Sequence, residues 1–128
     1  MAEPDRIHIR DLLLRCIVGV NAEERREKQD VVVNATLEAD LRQPCRSDDL
    51  AHTLDYKAVT KQIIATVESS SCFLLEHLAQ RIADACLQEP RVRRVRVAVD
   101  KPAALRFTRS VAVEIVRDRP PDAPSHAR

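Results

Sequence analysis

Aromatic side chains are almost missing from this sequence, which has one tyrosine, two phenylalanines and no tryptophan in 128 residues. The stacking platforms with which single-strand nucleic-acid binders hold bases are therefore lacking. An excess of one charge is missing too: 21 lysines and arginines nearly balance 20 aspartates and glutamates, leaving a formal charge of +1. That balance argues against a nucleic-acid-binding protein and against a trap for acidic substrates. Arg91, Arg93, Arg94 and Arg96 do cluster, but Arg94 and Arg96 share one side of a period-2 apolar pattern, as on the solvated face of a strand. No apolar run approaches the length of a membrane span. Cys16, Cys45, Cys72 and Cys86 form no CxxC and no Cys/His ligand pair, and the N-terminus lacks the apolar core of a secretory signal. The expectation is reduced thiols in a soluble, cytoplasmic protein without a metal site.

What is present fits one domain with a real core. Ile7 and Ile9 alternate with His8 and Arg10, so a strand starts here and continues through Leu12 to Val18, with His8 on its polar side. Gly19, the only glycine, interrupts it before the polar run Asn21–Lys28. Val31, Val33, Ala35, Leu37, Ala39 and Leu41 line one side of a second strand. Pro44 to Asp49 reads as a loop. Asp55 is a helix cap for Tyr56–Val67, whose inner face is Val59, Ile63 and Val67. Ser69-Ser70-Ser71 breaks that helix, and a second runs to about Gln88, before Pro90. Val95, Val97 and Val99 mark a third strand, and Val111, Val113 and Ile115 a fourth. The order β-β-α-α-β-β predicts an α+β domain, a four-stranded antiparallel sheet with both helices on one face. Its open face and edges are the kind covered by self-association. Residues 1–117 form this domain, and the proline-rich 118–128 read as a disordered tail.

The stretch that organises the rest is Cys72–Ala79, at the start of the second helix. Leu74, Leu75, Leu78, Ala79, Ile82, Ala83 and Cys86 recur at helical spacing, with Glu76 at the edge of their face. Position alone leaves two readings of Glu76. It is either a solvated carboxylate supporting a helix terminus or an acceptor for a ligand with two parallel N–H donors.

With Gly19-Val20 and Glu24 after the first strand, Leu54-Asp55-Tyr56 opening the first helix, Leu74-Leu75-Glu76-His77-Leu78 opening the second, and Lys101-Pro102 after the third strand, the chain resembles the dihydroneopterin aldolase family. The resemblance covers roughly Asp5 to Arg117. It implies the tunnelling fold, in which subunits join their sheets into a barrel-like ring, as tetramers or stacked octamers, with pterin sites between subunits. It implies a lyase of folate biosynthesis that needs no cofactor. Glu76, with Leu75 beside it, would accept hydrogen bonds from the pterin 2-amino group and ring N3–H, while Leu54, Asp55 and Tyr56 would come from the neighbouring subunit. Lys101, Tyr56 and Glu24 would be the catalytic set.

The resemblance also implies two outcomes. In the related dihydroneopterin triphosphate epimerases, the same retro-aldol intermediate re-adds its aldehyde with opposite configuration at C2′. The loop from Lys101 to Val111, with Ala104-Leu105-Arg106-Phe107 and then Ser110-Val111, looks like those epimerases, and Gln29-Asp30 and Val59-Thr60-Lys61 lean the same way. Arg106 would meet the substrate triphosphate, or is simply solvated. Aldolase is the main expectation, epimerase the alternative, and a pterin-binding oligomer without turnover the third.

Overall fold

The computed structural model describes residues 3–120, and the expected tail from 121 onward lies outside the described residues. In chain order the elements are β1 (Asp5–Val18), β2 (Gln29–Ala39), α1 (Arg42–Ser47), a 3-10 turn (Leu50–His52), α2 (Tyr56–Glu68), β3 (Ser71–Cys72), α3 (Leu75–Cys86), β4 (Arg94–Lys101) and β5 (Val111–Asp118). They build one sheet in the order β3-β1-β2-β4-β5. All neighbours in it are antiparallel except β3, which runs parallel to the end of β1.

The sheet therefore has five strands, where four were expected. The additional strand has only two residues, Ser71 and Cys72, too few to leave a periodic trace in a stretch read as a helix break. The Pro44–Asp49 loop is likewise replaced in part by α1. Pro44 sits in its first turn, where a missing amide costs nothing, and Asp48 ends it in the left-handed conformation at φ 55°.

β1 changes faces partway along. Ile7 and Ile9 pack against the core from odd positions, whereas Leu14, Cys16 and Val18 are buried at even ones. The register shifts between Ile9 and Leu12, where Asp11 takes φ 55° and its amide donates to Asn34 Oδ1 at 2.9 Å. One additional residue in a strand inverts every later side chain, so this bulge lets both halves feed one core.

That core lies between the sheet and the two long helices. Val31, Val33, Ala35 and Leu37 of β2 and Val95, Val97 and Val99 of β4 are sealed beneath Val59, Ile63 and Val67 of α2 and Leu78, Ile82 and Cys86 of α3. Each such aliphatic side chain contributes roughly 1.5–3 kcal/mol by burial. The helical face was read correctly from Leu78 to Cys86 but not at Leu74, which lies outside α3 as its N-cap and is 52% exposed. On the opposite sheet face Arg94 pairs with Asp118 and Arg96 with Glu114 across β4 and β5, the solvated pattern expected of those arginines. β5 runs one residue past the sequence boundary, and the Arg119 guanidinium donates to the carbonyls of Val92, Leu87 and Glu89.

Candidate active site

One end of the sheet gathers the ends of β1 and β4 and the start of α3. Lys101 closes β4 on its inner face, in register with the buried Val95, Val97 and Val99, so its stem enters the core and it is only 8% exposed. An ammonium there needs a partner. Glu24 supplies it, with Lys101 Nζ donating to Glu24 Oε2 at 2.5 Å.

The turn after β1 is what aims Glu24. Glu24 N donates to Asn21 Oδ1 at 2.9 Å, while Glu24 Oε1 accepts from the amides of Asn21 and Val20 at 3.4 and 3.1 Å. This is the reciprocal capping-box arrangement, with asparagine in the cap position and glutamate three residues later. One carboxylate oxygen closes the turn and the other meets Lys101. Gly19 makes room: at φ 142° it adopts a conformation that disfavours side chains, and a Cβ on it would overlap the Glu24 carboxyl group. The Lys101 hydrogen bond, helped by the amides of Asn21 and Val20, holds the Glu24 carboxyl below its ordinary value against the opposing effect of burial.

Arg25, the next residue, ties this turn to the approach to α3. It donates to the carbonyls of Gly19, Cys72 and Ser71 and lies 4.0 Å over the Phe73 ring. Two residues on, α3 begins, with Leu75 half-buried and Glu76 exposed in its first turn. Glu76 makes no hydrogen bond or ion pair among the described residues, so its carboxylate is available. The structure thus brings Lys101, Glu24, Leu75 and Glu76 to one end of the domain.

It does not bring Tyr56 there. Leu54 is buried, Asp55 caps α2 by accepting from Ala58 N at 3.1 Å, and Tyr56 stands 57% exposed at the first position of α2. The other end of α2 leads through Ser69 and Ser70 into β3, beside the end of β1. The helix rise separates Tyr56 from that end by about 18 Å along the axis. Arg106 is exposed on the 102–110 loop, 5.1 Å over the Phe107 ring, and touches none of the other candidates.

Sequence reasoning missed two parts of this site. The asparagine-to-glutamate spacing of three in the Asn21–Lys28 run was a legible capping-box signal. Arg25 left none, because its partners are carbonyls whose positions only the tertiary structure sets.

The family model for dihydroneopterin aldolase matches residues 7–116. The chain belongs to the dihydroneopterin aldolase family. Among relatives of this family, a dihydroneopterin triphosphate 2′-epimerase of Pseudomonas aeruginosa is 40% identical over 114 residues, 89% of this chain and 93% of that one. A dihydroneopterin aldolase of Streptomyces coelicolor is 39% identical over 118 residues, 90% of this chain and 98% of that one. The crystal structure of the Escherichia coli dihydroneopterin aldolase in complex with neopterin superimposes with a TM-score of 0.84 at 28% identity, covering 88% of this chain and 98% of that one. The chain has the α+β fold of its structural relatives, and its own sheet has five strands.

Proposed function

We propose that this protein is a dihydroneopterin aldolase, which cleaves the C1′–C2′ bond of 7,8-dihydroneopterin to give 6-hydroxymethyl-7,8-dihydropterin and glycolaldehyde. The observation that carries this reading is the pair of buried Lys101 and half-buried Glu24 at the same end of the domain as the unpartnered Glu76. Glu76 offers two coplanar oxygens to the pterin 2-amino group and N3–H, a match of paired acceptors to paired donors. Leu75 packs beside the ring.

The substrate carries its own electron sink. When the 2′-hydroxyl loses its proton and C1′–C2′ breaks, the electron pair flows through C6 to N5, which takes a proton. Reprotonation at C1′ with loss of the N5 proton completes the product. General acid–base groups held in place suffice for those steps. Lys101 serves proton transfer at N5 through water, Tyr56 exchanges protons with the side chain, and Glu24 positions the lysine.

Tyr56 requires a second copy of the chain. Its separation from Lys101 supports a homo-oligomer, a tetramer or octamer of the tunnelling type, in which Leu54, Asp55 and Tyr56 of one subunit complete the pterin site of the next. Exposed apolar side chains support the same assembly, with Val20, Phe73 and Leu74 at one end and Leu50 and Tyr56 at the other. No described helix is long and apolar enough to cross a membrane, and four unpaired cysteines suit a reducing, cytoplasmic setting.

A second reading, 2′-epimerisation of dihydroneopterin triphosphate, is favoured by the 40% identity to the Pseudomonas aeruginosa epimerase and by the exposed Arg106 on the loop after Lys101. Both reactions use the same retro-aldol step and the same ring anchor. Incubation with each substrate, followed by product chromatography, separates them. Glycolaldehyde from dihydroneopterin is expected, and exclusive epimerisation of the triphosphate would replace the aldolase reading with the second.

A further inference from the structure

Arg25 has no part in the acid–base set, yet it is half-buried and has no carboxylate within ion-pair distance among the described residues. Its donors go to main-chain carbonyls instead. Nη1 reaches Gly19 O at 3.1 Å and Cys72 O at 3.0 Å, and Nη2 reaches Ser71 O at 2.7 Å. These carbonyls belong to two segments that are 46 or 47 residues from Arg25 on one side and six on the other. Gly19 opens the turn that carries Glu24, and Ser71–Phe73 leads into Leu75 and Glu76.

We propose that Arg25 is a positioning residue that fixes the Lys101–Glu24 pair relative to the start of α3, and so sets the distance between the proton-transfer groups and the ring anchor. This rests on reading that end of the domain as the pterin site. Other ties between the two segments are few. Among the described residues the main-chain ones are the two-residue ladder of β1 with β3 and one bond from Gly19 N to Cys72 O at 3.1 Å. The charge of Arg25 meets no opposite charge, so the planar fork carries its effect, and lysine, with its donors on one nitrogen, cannot span the same three carbonyls. The ring of Phe73 against the guanidinium fixes the plane of that fork.

The α3 helix is anchored by Leu78, Ala79 and Ile82 in the core, whereas the Glu24 turn is a surface turn. Loosening Arg25 therefore moves Glu24 more than Glu76. The expected signature is a loss of turnover with ring binding retained.

The test follows the Glu24 carboxyl by ¹³C NMR titration in the wild type, in Arg25→Lys and Arg25→Ala, and in Arg26→Ala, an exposed neighbour serving as control. The same four proteins are assayed for kcat and KM with dihydroneopterin and its triphosphate, and for neopterin affinity. In Arg25→Lys the Glu24 midpoint is expected to move up toward the ordinary carboxylate value. Its kcat is expected to fall about tenfold or more, as misplacement of reacting groups does, with KM and neopterin affinity within about threefold. Arg26→Ala is expected to match the wild type. An unchanged Glu24 midpoint with unchanged kcat in Arg25→Lys overturns the proposal, and so does a loss confined to KM. If Arg25→Ala fails to fold, the lysine variant decides alone. If the wild type turns over neither substrate, the functional reading fails by itself, and the Glu24 midpoint still decides the positioning role.

Discussion

The two ends of this small domain are built on different plans. At the Lys101 end the groups that hold the ammonium are themselves tied down. Glu24 is held by two amides and Asn21, Gly19 leaves no space beside its carboxyl group, and Arg25 links the turn to Ser71 and Cys72. At the Tyr56 end Asp55 is occupied as a helix cap, while Tyr56 and Leu50 face outward. The first end is organised before any ligand arrives, which is what electrostatic and proton-transfer catalysis requires. The second end offers a hydroxyl and apolar surface that one chain cannot place against its own Lys101. On the function proposed above, a single chain carries two different halves of a site, and closed symmetry would be the economical way to join them.

The largest effect should come from the organised end. Lys101→Ala is expected to lower kcat by about 10²–10⁴-fold, the range for loss of a positioned acid–base group, with neopterin binding retained because Glu76 is untouched. Glycolaldehyde release at near-normal rate from that variant would remove Lys101 from the mechanism. Tyr56→Phe, at the other end, is expected to be impaired in its own right. Mixing the two variants after dissociation and reassembly tests the comparison directly. Random pairing puts an intact Lys101 opposite an intact Tyr56 at about a quarter of interfaces, so activity should return toward that fraction. If mixing restores nothing although hybrid oligomers form, both halves do not meet between subunits.

How much of this was legible in the sequence depended on periodicity. The alternation Val31 to Leu37 and the spacing Val59, Ile63, Val67 are local signals, and both put the right side chains in the core. β3 has no period because it has two residues, and α1 was hidden by a proline that is harmless in a first turn. Lys101 could be matched to a motif, but its burial depends on register with Val99 and Val97 and on a partner 77 residues away. Glu24 was picked out by position in a motif, while the capping box that aims it lay unread in the same turn. The separation of Tyr56 from Lys101 is a property of topology: it follows from α2 delivering the chain to β3, which no local pattern encodes.

Gly19→Ala probes the rigidity of the organised end from the backbone. The methyl group would meet the Glu24 carboxyl group and would also have to tolerate φ 142°. Strain of this kind costs on the order of 1–3 kcal/mol, so thermal unfolding should shift down. Turnover should fall more than the stability loss explains at a temperature where the variant stays folded, since Glu24 is displaced. A variant as stable as the wild type and equally active would mean that the turn has room to spare.

Acid titration gives the smallest effect and the sharpest sign. The Glu24 carboxyl lies below its ordinary value of 4.5 in the folded chain, chiefly because Lys101 donates to it. The unfolded chain therefore binds the proton first as pH falls. The contribution of this group is complete above its unfolded value and drains away as pH drops through the folded one. Glu24→Gln lacks that proton equilibrium, so it should be less stable than the wild type near neutrality. The gap between the two should then close as pH falls below the ordinary carboxylate value of 4.5 and through the lower folded one. Denaturant midpoints measured side by side cancel the other carboxylates, which titrate in both proteins. A gap that stays constant with pH would show that neither Lys101 nor the turn amides favour the ionised carboxyl, and the organised end would then be rigid for a reason other than its ion pair.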